Sequence, residues 1–438
     1  MSTPALSGSW LAAVNLLARW LERRERLDAL LDTLPTALAG AERARCTHLV
    51  FGVVRHFGRL ESALGRLIAH PPRFSTRAVL FVAGYELIEA KGTPEADGLV
   101  AKIVHHAVEQ TKTLASPAES RLVNAVVRKL VVALAGDAPV APTVAKGKTA
   151  DVDAAALAEY FSHPEWLVRM WLREFGAEAT RQLLEWNQQP ATVYARWRAA
   201  EEPVPSFLKP TAWDGFYEVE SGKWTKVEPL LRSGKLYLQD PGTRLAVGLL
   251  APQAGETVLD VCAAPGGKSL LIADTMKTGK VIAMDLPGTR IDRLKENLAR
   301  ANGVDVALVQ MDVLAEPTLA LREHALPESF SAVLIDVPCS NTGVMRHRAD
   351  VKWRLQEGDF KKHPKQQLAL LHAAARLVAP GGRLVYSTCS IDAAENTRVI
   401  EEFFNSRAGG PFKLETSVQS LPWVTGHDGS GAFLLRRS

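Results

Sequence analysis

The chain has 438 residues, enough for two or three domains that each bury a core of their own. Hydrophobic residues make up 47% and charged residues 23%, an ordinary globular composition. No stretch reaches the roughly 18 apolar residues of a membrane span, and Met1–Trp10 has no signal-peptide pattern, so we expect a cytoplasmic protein. Four cysteines without a C-x-x-C pair exclude a disulfide scaffold and predict no metal site.

The formal net charge of +4 is unevenly distributed along the chain. Residues 1–136 contain 17 Lys/Arg against 12 Asp/Glu, which leaves 35 against 36 in the remainder. The basic excess of the first third suits contact with nucleic-acid phosphates. On charge alone, a solvated basic surface is an equal alternative.

The first third of the chain predicts helices. Trp10, Val14, Leu17 and Leu21 recur at steps of three and four residues, which marks one apolar helix face. Similar faces occur in three further segments, namely Leu49–Ile68, Ala78–Glu89 and Leu122–Leu130. We therefore predict an all-helical domain over residues 1–135. Residues 136–150, rich in Pro, Gly, Ala and Lys, predict a flexible linker.

The rest of the chain predicts a small subdomain and a larger one. Residues 151–240 predict a small mixed α/β subdomain, helical over Asp153–Gln188 and strand-like at Ala191–Trp197 and Lys235–Leu238. Over residues 241–438, strands and helices alternate, which is typical of a Rossmann-like α/β domain with a parallel sheet covered by helices on both faces. The predicted strands are Thr257–Val261, Lys280–Asp285, Val306–Asp312, Ser331–Val337 and Arg383–Cys389.

A glycine-containing turn follows the first of these strands. It comprises Cys262, Ala263, Ala264, Pro265, Gly266, Gly267 and Lys268, and it leads into a helix. Glycine lets the backbone approach a ligand closely, and a helix N-terminus favours a negative group such as a carboxylate. In an open parallel sheet, ligands bind at the carboxyl ends of the strands, where this turn lies.

Acids mark the ends of four successive predicted strands: Asp260, Asp285, Asp312 and Asp336. Asp285 is placed to reach a ribose hydroxyl pair, and Asp312 to meet an adenine amino group. A helix cap or a solvated turn would explain any one of these acids. Four of them together predict a cofactor that carries a nucleoside.

Two other cofactor classes fit the sequence less well. A nicotinamide dinucleotide is disfavoured because the G-x-G-x-x-G pattern is absent. The segment Cys262–Ser269 matches the P-loop pattern of NTPases except at its first position, where cysteine replaces glycine. That position needs a backbone conformation that is costly for a side chain. An NTPase would also leave the paired cysteines described next without a role.

Two cysteines occupy the ends of two predicted strands, in Asp336-Val337-Pro338-Cys339-Ser340 and Ser387-Thr388-Cys389-Ser390. A thiolate that adds to C6 of cytosine makes C5 nucleophilic enough to accept a methyl group, which is covalent catalysis. An acid near N3 would stabilise the charge that develops there, and Asp336 is the nearest candidate. The residues alone do not tell which cysteine attacks, and buried inert thiols are the alternative.

In combination, these segments resemble the family of bacterial 16S rRNA cytosine-5 methyltransferases (small subunit methyltransferase B, also called Sun), within the NOL1/NOP2/Sun superfamily. The likeness spans nearly the whole chain. It rests on the glycine turn, the two cysteine segments, and the matching stretches Gln239-Asp240-Pro241, Thr342-Gly343 and Lys352-Trp353. Departures are Arg346-His347-Arg348-Ala349-Asp350, Gly242-Thr243 and a loosened Asp428-Gly429-Ser430-Gly431-Ala432-Phe433.

The resemblance implies roles for the residues named above. It implies that Cys389 is the nucleophile, that Cys339 assists product release, and that Asp336 touches the base. The residues implied to line an S-adenosylmethionine site are Cys262, Ala263, Ala264, Pro265, Gly266, Gly267, Lys268, Asp285, Asp312 and Asp336. The N-terminal domain is implied to be a NusB-like RNA-binding module. The expected activity is S-adenosylmethionine-dependent cytosine-5 methylation, with small-subunit ribosomal RNA as the expected partner and a monomer as the expected state.

Arg346, Arg348, Lys352 and Arg354 follow the first cysteine and are candidates for gripping RNA phosphates. An exposed basic loop is an equal alternative for each. The target base has to be unstacked to expose C5 and C6. A second class of function is a non-catalytic RNA-binding or ribosome assembly factor with a methyltransferase fold, against which the intact Cys339, Cys389 and Asp336 argue.

Overall fold

The computed structural model describes residues 7–38, 40–91, 93, 96–114, 116–136 and 153–438. The predicted linker, residues 136–150, lies outside these described residues except for Gly136. Contacts group the chain into two compact units. One consists of Met1–Pro190 with Met345–Leu355, and the other of Ala191–Val344 with Gln356–Ser438. The domain bounds given above stay a prediction, because a grouping by contacts does not define functional domains.

The first unit is helical in its described part. Its helices up to Pro190 are α1 Ser7–Arg23, α2 Leu27–Leu31, α3 Gly40–Arg55, α4 Phe57–Leu67, α5 Phe74–Ala90, α6 Ala96–Leu114, α7 Pro117–Ala133, α8 Ala154–Tyr160, α9 Glu165–Phe175 and α10 Ala177–Gln188. The apolar faces predicted helices correctly, although Leu49–Ile68 divides at His56 into α3 and α4. Helix α6 had not been predicted.

Helix α5 forms the centre of the core of the first unit. Every residue from Ala78 to Ala83 on this helix is fully buried, so α5 is packed on all its faces rather than on one face only. Trp10, Trp20 and Phe57 belong to the same apolar cluster, as does Ala349 from the segment that returns later in the chain. Burial of large apolar side chains of this kind is the main stabilising term of a helical domain.

The second unit begins with a small antiparallel sheet. Its strands are β1 Tyr194–Trp197, β2 Leu208–Pro210, β3 Phe216–Val219 and β4 Leu236–Leu238, in the order β2-β3-β1-β4. Helix α11, Trp224–Arg232, precedes β4. The strands predicted at Ala191–Trp197 and Lys235–Leu238 are present within slightly narrower bounds.

A seven-stranded sheet forms the larger part of the second unit. The strands are β5 Thr257–Val261, β6 Lys280–Asp285, β7 Asp305–Gln310, β8 Phe330–Asp336, β9 Val378–Thr388, β10 Phe412–Ser420 and β11 Ser430–Arg437, in the order β10-β11-β9-β8-β5-β6-β7. Strands β5 to β9 pair in parallel. This confirms the predicted Rossmann-like sheet, with the bounds of β5 and β6 as predicted. The antiparallel pair β10 and β11 had not been predicted.

Helices cover both faces of this sheet, and alternate residues along each strand supply the two cores. The helices from Arg244 onward are α12 Arg244–Leu250, α13 Gly267–Met276, α14 Ile291–Leu298, α15 Pro317–Glu323, α16 Val351–Arg354, α17 Asp359–Arg376, α18 Thr397–Phe404 and α19 Pro422–Thr425, of which α16 belongs to the first unit. Val258 packs with α12 and α13, and its neighbour Leu259 packs with α17 and α18. This alternation is the two-residue period of a strand.

The pairing register of β8 and β9 positions the site. Asp336 at the end of β8 lies opposite Ser387 near the end of β9. The turns that follow these two strands, with Cys339 and Cys389, therefore leave the sheet side by side, next to the turn after β5. Among the helices in the described part of the chain, none is long and apolar enough to cross a membrane.

Candidate active site

The turn after β5 is shaped by two residues with left-handed backbone. Cys262 has φ 59°, and Gly266 has φ 102° directly before α13. A side chain at Gly266 would also meet the Leu294 side chain of α14 at 2.9 Å, so glycine is required there on two grounds. The turn brings Ala263, Ala264 and Pro265 across the carboxyl ends of the strands.

A cavity of about 240 Å³ lies over this turn. Seven of the predicted cofactor residues line it: Cys262, Ala263, Ala264, Pro265, Gly267, Lys268 and Asp336. Lining residues outside the predicted set are Tyr237, Leu238, Gln239, Asp240, Thr243 and Asp260. The matching stretch Gln239-Asp240-Pro241 was the sequence signal that could have placed two of them at the site.

The other three predicted cofactor residues, Gly266, Asp285 and Asp312, do not line this cavity. Gly266 shapes the turn without lining the cavity, and Asp285 accepts a hydrogen bond from the backbone N–H of Ala264 at 2.7 Å. Asp312 is exposed, accepts a hydrogen bond from the N–H of Leu314 and does not line the cavity. The prediction that Asp312 would lie at the cofactor site is therefore not supported by the geometry.

Asp260 is a fully buried carboxyl at the edge of the cavity. Its Oδ2 accepts a hydrogen bond from Ser269 Oγ at 2.5 Å, while its Oδ1 has no protein partner among the described residues. Burial raises the pKa of Asp260 to about 7. The cavity therefore contains an acid that a polar ligand could satisfy.

Lys268 and Asp336 form an ion pair beside the cavity. Lys268 Nζ lies 2.7 Å from Asp336 Oδ2, and Ser387 Oγ donates to Asp336 Oδ1 at 2.7 Å. Burial opposes the charge of Lys268, but the neighbouring Asp336 carboxylate outweighs it and raises the pKa of Lys268. The pair joins α13 to the ends of β8 and β9.

The two predicted catalytic cysteines lie in contact. Cys339 Sγ and Cys389 Sγ are 3.1 Å apart, with Cys339 buried and Cys389 half-buried. The hydrogen bond with Cys389, together with burial, raises the pKa of the Cys339 thiol well above its usual range. Burial also raises the pKa of Cys262. Cys339 and Cys262 are therefore held as neutral thiols, whereas Cys389 faces a second, smaller cavity.

The second cavity, of about 50 Å³, adjoins the first. Lys268, Asp240 and Thr243 line both cavities. The smaller one is otherwise lined by Gly242, Ala246, Val344, Ser387, Thr388, Cys389, Asp428, Gly429, Ser430, Gly431 and Ala432. A group bound over the glycine turn would therefore lie next to a group bound against Cys389.

A buried polar network supports the cysteine turns, and sequence reasoning missed it. Glu395 accepts hydrogen bonds from the N–H of Ser340 at 3.0 Å and from Gln367 Nε2 at 2.9 Å. Asp392 accepts one from Ser390 Oγ at 3.1 Å. Both acids are buried, and acids are seldom buried without partners. Their hydrogen bonds fix the residues that directly follow Cys339 and Cys389.

The four basic residues proposed to grip RNA lie on the segment that belongs to the first unit. Arg348 is exposed, and Arg354 Nε lies 2.8 Å from Asp350 Oδ2 in an ion pair. The Cζ atom of the Arg346 guanidinium lies 4.2 Å from the centre of the Trp186 ring. Lys352 is only 1% exposed, and its Nζ donates to the carbonyl of Arg55 at 2.9 Å. The expectation that Lys352 grips phosphate is therefore wrong for this fold, because its ammonium is buried.

Comparisons with known proteins agree with this arrangement. Residues 9–131 match the NusB family, and residues 247–420 match the family described as 16S rRNA methyltransferase RsmB/F. The crystal structure of NSun6 from Pyrococcus horikoshii with SFG superposes with a TM-score of 0.53 at 18% identity, over 63% of this chain and 98% of that one, which shows a shared fold.

Two curated relatives are similar over almost their whole length. Ribosomal RNA small subunit methyltransferase B of Vibrio cholerae serotype O1 is 28% identical over 439 residues, which is 95% of each chain. Its counterpart from Sodalis glossinidius is 30% identical over 436 residues, again 95% of each chain. Because both halves of the chain match family models and this relative is 30% identical over 95% of each chain, the chain belongs to the ribosomal RNA small subunit methyltransferase B family.

Proposed function

We propose that this chain transfers a methyl group from S-adenosylmethionine to C5 of a cytosine in small-subunit ribosomal RNA, through a covalent adduct with Cys389. The observation that carries the proposal is the pair of thiols 3.1 Å apart beside the Lys268–Asp336 ion pair, where the two cavities adjoin. A fold that only bound RNA would not need two adjacent thiols at this edge of the sheet.

Several groups of the larger cavity support S-adenosylmethionine as its ligand. The N-terminus of α13 favours the carboxylate of the methionine part, and Asp285 holds the Ala264 backbone in place. The unpartnered Oδ1 of Asp260 offers a hydrogen-bonding partner to a polar group of the ligand. The NSun6 structure contains SFG, an S-adenosylmethionine analogue, in the same fold. When bound here, the cofactor supplies an electrophilic methyl group.

Residues where the two cavities adjoin divide the remaining chemistry between them. Cys389 is the more exposed thiol, and as a thiolate its Sγ forms a bond to C6 of the cytosine. We assign stabilisation of the charge that develops on the ring to the Lys268–Asp336 pair, with Asp336 facing N3. After C5 is methylated, its proton passes to a water molecule, the electron pair of the C5–H bond restores the C5–C6 double bond, and the Sγ–C6 bond breaks to return the thiolate of Cys389. We assign assistance in this release to Cys339.

Recognition of the RNA is assigned to the helical domain and to the basic segment after Cys339. The names of the curated relatives support small-subunit ribosomal RNA as the substrate. The basic excess of residues 1–136 and the exposed Arg348 and Arg354 fit contact with phosphates. We expect the protein to act as a monomer.

The test is label transfer from methyl-tritiated S-adenosylmethionine to unmodified 16S ribosomal RNA. We expect transfer by the wild type and a loss of about 10³-fold or more in Cys389→Ala, because the nucleophile is removed. Cys339→Ala should accumulate an RNA adduct that survives a denaturing gel. Cys46→Ala, which changes a buried thiol of the first unit, is the matched control and should retain activity.

Two outcomes would contradict the proposal in different ways. Near wild-type transfer by Cys389→Ala would show that the roles of the cysteines are wrong. Methylated RNA that yields no 5-methylcytosine on nucleoside analysis would show that the acceptor atom is wrong, even if the protein is a methyltransferase.

A further inference from the structure

One residue between the two cysteines has a geometry that the chemistry above does not use. Asn341 lies two residues after Cys339 and has φ 61°, in the left-handed region. Its Nδ2 donates to the carbonyl of Cys339 at 2.8 Å, and its Oδ1 accepts a hydrogen bond from Cys389 Sγ at 3.3 Å. One side-chain amide thus bridges the turn that carries Cys339 and the thiol of Cys389.

We propose that Asn341 is a positioning residue for the reaction: its amide directs the Cys389 thiol towards the base and holds the Cys339 turn beside it. The proposal rests on the proposed function, in which Cys389 is the nucleophile. It goes further in assigning a role to a residue that contacts both sulfur-bearing turns and has no part in the chemical steps described above.

The orientation of the amide follows from its two hydrogen bonds. A carbonyl can only accept, so Nδ2 is the atom that faces the Cys339 carbonyl, and this leaves Oδ1 towards Cys389. The left-handed backbone is accessible to asparagine at low cost and to glycine at none, but it disfavours most other side chains. The backbone therefore places the amide between the turns.

An amide oxygen beside a thiol stabilises the S–H form and fixes its direction. The other groups that face Cys389 are the Cys339 thiol at 3.1 Å, Lys268 from α13, and Asp240 and Asp428 on the walls of the smaller cavity. Lys268 brings a positive charge and the two acids bring negative charges to this surface, whereas Asn341 contributes a neutral acceptor. Among the described residues, Asn341 provides the oxygen that accepts a hydrogen bond from the Cys389 thiol.

Substitutions at Asn341 can therefore shift the ionisation of Cys389 in opposite directions. Asn341→Asp keeps the shape but places a carboxylate against the sulfur, so the thiol should ionise at higher pH. Asn341→Gly keeps the left-handed backbone and removes the acceptor, so the thiol should ionise at lower pH. A general disturbance of the turn would not produce shifts of opposite sign.

The experiment measures the rate of alkylation of Cys389 by iodoacetamide from pH 6 to 10, on the full-length protein, with the modified peptide quantified by mass spectrometry. We expect the pH at the midpoint of the alkylation-rate curve to rise by about one unit in Asn341→Asp and to fall in Asn341→Gly. Asn405→Asp, which adds the same charge at the exposed end of α18, should leave the midpoint unchanged.

A second readout separates positioning from folding. In methyl transfer at a pH where the thiol is ionised in both proteins, Asn341→Gly should lower kcat by about 10- to 100-fold with little change in the KM for S-adenosylmethionine, because the direction of attack is lost while the cofactor site is unchanged. Alkylation midpoints equal to that of the wild type, or shifted in the same direction in both Asn341 variants, would overturn the role of Asn341. Absence of methyl transfer by the wild type would instead overturn the proposed function, while the midpoints would still report on Asn341.

Discussion

At the scale of single residues, Asp260 is expected to make stability depend on pH. Its pKa is raised to about 7 by burial, so the fold favours the protonated form. A carboxyl with a raised pKa in the folded state contributes stability that is present below about pH 4 and is lost as the pH rises through about 7. Wild-type stability should therefore fall between these values by up to about 4 kcal/mol relative to Asp260→Asn.

The measurement for Asp260 is the free energy of unfolding in urea at pH 4 and pH 7, without cofactor. Asp305→Asn, at the exposed start of β7, controls for the loss of one acid. A difference between wild type and Asp260→Asn that does not change with pH would contradict the prediction.

Single residues also show where sequence reasoning succeeds and where it stops. Cys339 and Cys389 could be placed at strand ends from the sequence, but their 3.1 Å contact depends on the pairing of Asp336 with Ser387. Asp312 obeys the same strand-end pattern and still misses the cavity. It follows β7, the edge strand two places from β5, and each strand adds about 4.8 Å of lateral distance.

At the scale of elements, the parallel strands were predictable and the antiparallel pair β10 and β11 was not. Strands β5 and β6 are almost continuously buried, and their apolar runs gave the bounds correctly. Strand β11 is largely buried, whereas most residues of β10 are exposed, because this strand is at the edge of the sheet. Phe412, Leu414 and Val418 follow the two-residue period of a strand, but only three of its nine residues are apolar, so the sequence signal is weak and the pairing with β11 defines the strand.

The turn at Gly343 should be intolerant of a side chain. A Cβ there would lie 2.4 Å from the Gly429 carbonyl oxygen and 2.8 Å from the Cys389 carbonyl oxygen, both of which belong to backbone. Gly343→Ala should therefore lower stability by about 1–3 kcal/mol and displace the Cys389 turn, with reduced methyl transfer. Thermal unfolding and label transfer check both effects.

Gly248 provides the matched control for this prediction. It lies within α12, and a Cβ at Gly248 would meet no atom within 4 Å. Gly248→Ala should raise stability by about 0.5–1 kcal/mol, because alanine loses less backbone entropy in a helix than glycine does. Equal stability of the two variants would argue against steric exclusion at Gly343.

At the scale of the whole molecule, the division into a helical part and an α/β part was predictable from the change of hydrophobic period. The placement of Met345–Leu355 was not. Local sequence gives Lys352 as an exposed cation, but contacts with residues far away in the chain bury it against Arg55, and Trp353 Nε1 donates to the Val54 carbonyl at 2.7 Å. Such burial depends on tertiary contacts that no short window of sequence records.

The return of Met345–Leu355 to the first unit has a consequence for how the protein can be divided. The chain passes between the units three times, so a cut after Pro190 removes a piece of the first unit's own core, including Ala349. Residues 1–190 expressed alone should melt at a lower temperature than the same fragment mixed with a peptide of residues 345–355. The same peptide with Trp353→Ala should raise the melting temperature of the fragment by less. Equal melting temperatures with and without the unaltered peptide would contradict the prediction. The first unit is in this sense a split protein, completed by a segment encoded far downstream.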